Sequence, residues 1–123
     1  MKILFVCSAN VDRSPTAERI YKDCAGLEVK SAGVGSHARQ PVIQKLLEWA
    51  DVILCMEKRH KQCIVEDFTE IVSRKKIDSL EIEDMYHFMQ PTLIALIKAK
   101  TDAWLHENHI EFGDKINKGV NKI

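Results

Sequence analysis

Residues 2–19, KILFVCSANVDRSPTAER, constrain this chain more than any other stretch. Ile3, Leu4, Phe5 and Val6 form an apolar run too short for a helix and bounded by small polar residues, which reads as a buried strand. Ser14 is a candidate helix N-cap, and Pro15 suits the first helical position, where a missing N–H costs nothing. Residues 7–13 must therefore carry the chain from strand to helix in one tight loop. Such a loop can turn successive backbone N–H groups inward as an anion nest, to which the helix N-terminus adds further donors and the positive end of its dipole.

The side chains fit that nest. Ser8, Ala9, Asn10, Val11, Asp12 and Ser14 become candidate phosphate-binding positions, and Arg13 can grip two phosphate oxygens with its planar fork. Cys7, at the strand end, would sit beneath the phosphorus, and the same positive field favours its thiolate. A thiolate in line with a bound phosphoryl group is a nucleophile for its transfer. Ser14 could donate a hydrogen bond to that sulfur and help it leave. Among the four cysteines, only Cys7 has an arginine six residues on at a strand-to-helix junction.

Further along, helices are expected over about residues 15–24, 42–50, 57–67 and from 90 or 91 onward, with a helical turn over 68–74. Strands are expected over about 27–34, 52–56 and 77–82; the apolar run 52–56 suits a strand buried on both faces. Strands alternating with helices predict an α/β fold, a four-stranded parallel sheet between two helical layers, with the loop after the first strand at its carboxyl edge. Lys58, Arg59, His60 and Lys61 read as the solvated face of the third helix, and Trp49 as core. Residues 1–107 are expected to form one domain, and the polar stretch 108–123, interrupted by Gly113 and Gly119, a C-terminal extension.

The 18 basic and 18 acidic residues balance, which argues against a nucleic-acid or anionic-membrane binder. No apolar run approaches the ~18 residues of a membrane span. The sequence begins on strand-like residues without the longer apolar region of a secretory leader. The cysteines show no CxxC pair or zinc-like spacing, and His106 and His109 have no third ligand. A reducing, cytoplasmic setting is the expectation, with neither metal nor cofactor.

CSANVDRSPTAER resembles the signature of the low-molecular-weight protein tyrosine phosphatases, Cys-x-x-Asn-x-x-Arg-Ser-Pro-Thr-Ala-Glu. Ser31-Ala-Gly33, the stretch HARQ at 37–40, VILCM at 52–56 and Asp84-Met-Tyr86 resemble further family motifs in family order. The resemblance implies a phosphotyrosine protein phosphatase I-like fold and phosphomonoester hydrolysis through a cysteinyl-phosphate. Its substrate would be a phosphorylated protein or a small aryl phosphate. It further implies Asp84 as general acid, Tyr86 as a pocket wall, and Ser31 and His37 as loop supports in a hydrogen-bond network with Asn10 and Ser14.

Some departures are informative. Only Val34, Gly35 and Ser36 separate the SAG and HARQ motifs, where the family usually carries a long segment with an aromatic pocket wall, so a shallower, more open site is expected. Met85 replaces the proline of Asp-Pro-Tyr, and Glu81 and Glu83 are rivals to Asp84 as acid. Asp12 stands where many members carry a second cysteine; repulsion from a phosphate predicts that it points outward. In the family the Val11 position helps separate phosphotyrosine from phosphoarginine, and a branched apolar residue leans towards an aromatic substrate. Two alternatives stay open: an anion-binding regulatory protein with little turnover, and an arsenate reductase, which would need resolving cysteines near the loop.

Overall fold

The structure, a computed structural model, describes residues 1–113. The strands are β1 (Lys2–Cys7), β2 (Glu28–Gly33), β3 (Val52–Cys55) and β4 (Lys76–Ser79). The helices are α1 (Arg13–Tyr21), α2 (Gln44–Trp49), α3 (Lys58–Asp67), α4 (Thr69–Val72) and α5 (Pro91–Glu107). All strands pair in parallel, in the order β2-β1-β3-β4. This is the expected α/β architecture, with β1 central and the chain crossing from one side of it to the other between β2 and β3.

Alternation along β1 divides the core. Ile3, Phe5 and Cys7 face α1 and α5, packing with Ile20, Tyr21, Leu93, Ile97 and Trp104. Phe5 stacks on Tyr21 with ring centroids 5.9 Å apart. Leu4 and Val6 face the other layer, with Leu47, Ile64 and Val72. Trp49, expected in the core, is half-buried at its margin, with the Lys30 ammonium 4.5 Å above its ring. Among the described residues, no helix is long and apolar enough to cross a membrane.

The register brings the strand ends to one edge. Cys7 lies beside Gly33, Val6 beside Cys55, and Cys55 beside Ser79. Ligands of open α/β sheets bind outside this edge, where the winding reverses.

Two of the boundaries that differ from the sequence reading do so for a clear local reason. Helix α1 begins at Arg13 with Asp12 in the N-cap position, because the Ser14 side chain is drawn inward. Strand β4 stops at Ser79 because Glu81 adopts a left-handed φ of 57°; Leu80 and Ile82 nevertheless donate backbone hydrogen bonds to Cys55 and Met56. Past α5, Ile110 and Phe112 pack on the core, and Gly113 N–H donates to Ala25 O at 2.9 Å. The remainder of the extension, including Gly119, lies outside the described residues.

Gly33 is where the fold touches the loop after β1. A Cβ there would lie 2.5 Å from Ser8 O and 2.8 Å from the Ala38 Cβ. Two backbones meet at this point, so a methyl group displaces one of them. Gly33→Ala is expected to lower stability by roughly 1–3 kcal/mol, as overpacking does, measured by urea denaturation, and to weaken inorganic phosphate binding beyond that loss.

Candidate active site

The loop between β1 and α1 turns its carbonyls outward. Ser8 O accepts from Gly35 N–H, Ala9 O from Arg39 N–H, and Asn10 O from the Arg39 side chain at 3.0 Å. The amide N–H groups of residues 8–14 donate to no other protein group among the described residues. Outward carbonyls and unspent amides make an anion nest. Asn10 completes the turn in the left-handed region, at φ 56°, which asparagine tolerates better than most residues.

Cys7 lies at the base of this loop, 2% exposed, with its Sγ 3.0 Å from Ser14 Oγ. Asn10 Nδ2 donates to Ser14 Oγ and to Ser31 Oγ, both at 2.9 Å, and the Ser31 hydroxyl donates to Glu18. Ser14 Oγ thus already accepts a hydrogen bond from Asn10 and has its own O–H to donate, to Cys7 Sγ or to Ala32 O at 3.2 Å. Against a thiolate the bond to sulfur prevails, because it is charge-assisted. The structure does not bring His37 into this network. His37 is exposed and makes no side-chain hydrogen bond among the described residues, because the short connection after Gly33 carries it past the loop; Asn10 Oδ1 is buried without a partner.

A second support, which the sequence reading missed, comes from the start of α3. Arg13 is 1% exposed; its Nη1 donates to Glu57 and to Ile82 O at 2.7 Å, leaving Nη2 for a ligand. Hydrogen bonds from Arg59 bring the Glu57 carboxyl down to about 2, against partial burial and with help from Arg13. Glu57 is therefore a fixed anion at neutral pH, an anchor for Arg13. His60, read as part of a solvated basic face, is fully buried. Its Nδ1 accepts from Glu57 N–H at 3.0 Å, so Nε2 carries the proton and donates to Ser8 Oγ at 2.9 Å. The signal was available: a Glu-x-x-His spacing at a helix start is the spacing of reciprocal capping, and that box forms here.

The loop of residues 80–90 closes the other side. Asp84 Oδ1 is 3.8 Å from Arg13 Nε, and the Asp84 side chain is 59% exposed. Of the rivals, Glu81 is bonded to Ser79, Glu83 is exposed, and neither is paired with Arg13. Asp12 turns away from the nest and accepts from Phe88 N–H at 2.8 Å, tying the two loops together. Tyr86 packs half-buried on the core. It is Phe88, not Tyr86, that stands with exposed Val11 along a cleft of about 350 Å3 beside the loop.

A phosphate-sized nest over a buried cysteine, at the carboxyl edge of a doubly wound sheet, defines a class of anion-binding α/β proteins with a nucleophile at the loop base. A sequence model described as "Low molecular weight phosphotyrosine protein phosphatase" matches residues 2–49. A protein-arginine-phosphatase of Bacillus subtilis (strain 168) is 34% identical over 95 residues, covering 55% of this chain and 63% of that relative. The chain thus spans less than two thirds of that relative's length. The low molecular weight protein-tyrosine-phosphatase Wzb of Escherichia coli (strain K12) is 29% identical over 123 residues, covering 76% and 84%. The solved YwlE arginine phosphatase from Geobacillus stearothermophilus superimposes with a TM-score of 0.60 at 26% identity, covering 89% of this chain and 98% of that one. Over residues 2–49 the chain is thus similar to the low molecular weight phosphotyrosine protein phosphatases, and its fold is shared with solved structures of arginine and tyrosine phosphatases.

Burial first, then the nearby Arg13 and Arg59 charges, lowers the His60 pKa from 6.5 to about 4. The unfolded chain then binds the extra proton below 6.5, so this stability is full above 6.5 and is lost as pH falls towards 4. The loss from this residue is on the order of 3 kcal/mol. Urea denaturation at about pH 7.5 and about pH 5 should show a fall in stability that is markedly smaller in His60→Gln, whose side chain does not titrate.

Proposed function

We propose that this chain is a cysteine-dependent phosphatase that hydrolyses phosphorylated proteins or small aryl phosphates through a cysteinyl-phosphate on Cys7. The observation that carries the reading is the Cys7 sulfur, 3.0 Å from the Ser14 hydroxyl, at the base of a loop whose amides have no protein acceptor among the described residues.

The phosphoryl oxygens take the loop amides and the free Nη2 of Arg13, which neutralise charge without having to reorganise. The Cys7 thiolate attacks phosphorus in line, forming the P–S bond as the bond to the leaving oxygen breaks. Asp84 gives its proton to that oxygen. In the second step Asp84 takes a proton from water, water oxygen bonds to phosphorus and the P–S bond breaks. The Ser14 hydroxyl then stabilises the departing thiolate. Glu57, ionised down to about pH 2, has no proton to give at neutral pH, which leaves Asp84 as the carboxyl group near Arg13 for this role. Exposed apolar Val11 and Phe88 beside the nest suit an aromatic leaving group.

Arsenate reduction finds less support. Cys55 lies on the opposite face of the sheet from Cys7, with its thiol pushed up to about 12 by burial, and Cys63 is on α3. Hydrolysis of p-nitrophenyl phosphate, blocked by vanadate, separates a phosphatase from a regulatory protein that only binds anions.

Cys7→Ser is expected to abolish turnover while keeping phosphate affinity within about tenfold, since the nest and Arg13 remain and only the nucleophile weakens. Turnover near the native rate would remove Cys7 from the mechanism. Asp84→Asn is expected to slow phenyl phosphate hydrolysis much more than p-nitrophenyl phosphate hydrolysis, because p-nitrophenolate leaves unaided. Glu83→Gln should leave both rates near native. An equal loss on both substrates in Asp84→Asn would assign the proton to another group.

A further inference from the structure

The cleft beside the nest carries more positive charge than its surroundings. It is lined by apolar Val11, Pro15 and Phe88 and by three cations, Arg19 of α1, Lys22 at its C-cap and Arg39. Among the described residues, none of these three cations is in an ion pair. Arg39 is held in place through Nε, which donates to Asn10 O, so its terminal nitrogens project from a fixed anchor. Arg19 and Lys22 are exposed and make no side-chain hydrogen bond among the described residues. The one carboxylate in the cleft wall, Glu18, is engaged by the Ser31 hydroxyl. On a chain whose formal charges cancel, three unpaired cations around one concavity are a local asymmetry.

The cleft is also placed where a polypeptide would have to pass. Val11 belongs to the nest and to the cleft alike, and Arg39 supports the nest from the cleft side. With Val11 shared by nest and cleft, a peptide whose phosphorylated side chain sat over Cys7 would bring the residues flanking it on one side to Arg19, Lys22 and Arg39. The short connection between Gly33 and the HARQ stretch adds no segment to cover this ground; the three residues 34–36 turn back on Ser8 O.

We propose that the cleft formed by Arg19, Lys22, Arg39, Val11 and Phe88 is a subsite for acidic residues flanking the phosphorylated residue of a protein substrate. The proposal rests on the phosphatase reading above and adds the substrate's sequence character to it. Exposed ion pairs are individually weak, so the preference comes from two or three acting together and is screened by salt.

The test uses two phosphopeptides of equal length, one with glutamates around the phosphorylated residue and one with glutamines there, each made with phosphotyrosine and with phosphoarginine. Affinities are measured on Cys7→Ser, which does not consume them. The acidic peptide should bind roughly five- to tenfold more tightly at low salt, a difference that fades as ionic strength rises. In Arg19→Gln/Lys22→Gln, on the same Cys7→Ser background, the preference should fall to about twofold or less. With Cys7 intact, that pair of substitutions should leave p-nitrophenyl phosphate turnover unchanged, since the small substrate has no flanks. Glutamine preserves helix propensity at both positions. Equal affinity for the two peptides, a preference that persists without Arg19 and Lys22, or binding of phosphate but of neither peptide would each overturn the subsite. Failure to bind phosphate or to turn over p-nitrophenyl phosphate would instead overturn the phosphatase reading, and the subsite with it.

Discussion

A guanidinium buried to 1% exposure has to be paired, and the pairing of Arg13 fixes how the carboxyl edge of the sheet is built. Its Nη1 reaches Glu57 at the start of α3 and Ile82 O beyond β4, while its backbone opens α1. One side chain therefore clamps three separate parts of the chain around the loop. Removing the carboxylate would leave an uncompensated buried charge, a loss typically of about 3–5 kcal/mol. Holding Arg13 by one nitrogen leaves the other for a ligand, so the structural and the chemical uses of the residue do not compete.

The loop is supported from both flanks by groups that act as fixed dipoles or fixed charges. On one flank Asn10, Ser14 and Ser31 pass hydrogen bonds from loop to β2 and on to Glu18. On the other, the neutral His60 joins Ser8 to the backbone of Glu57. The Gly33 contact lies beneath, close enough to exclude any side chain. A site assembled in this way holds its amides in position before a phosphoryl group arrives, which is what makes such donors effective in a transition state.

The motif at residues 7–18 accounts for the parts of the site that lie close together in sequence. Cys7, Asn10, Arg13 and Ser14 sit on one loop and one helix turn, where spacing alone sets their geometry. Legibility fell off with distance along the chain. His37 matched its motif by letter, yet the short connection after Gly33 carries it into solvent. His60 sits among charged Lys58, Arg59 and Lys61, which mask it in the sequence, and only the Glu-x-x-His spacing points to a capping pair. Phe88 is a lone aromatic in an aperiodic loop and carries no periodic signal; its position depends on the Asp12 carboxylate holding its backbone.

The sequence by itself determined the alternation of strands and helices, the parallel sheet, and the junction of Cys7, loop and helix, because each follows from local periodicity, turn chemistry and the short reach of a few residues. Only the tertiary structure decided which distant groups meet at that junction: Glu57 and Ile82 on Arg13, His60 on Ser8, Asp84 at the edge, and Arg19, Lys22 and Arg39 around one cleft. Those meetings depend on strand register, on the left-handed turn at Glu81 and on the backbone contact at Gly33, and none of these is a property of a short stretch of chain.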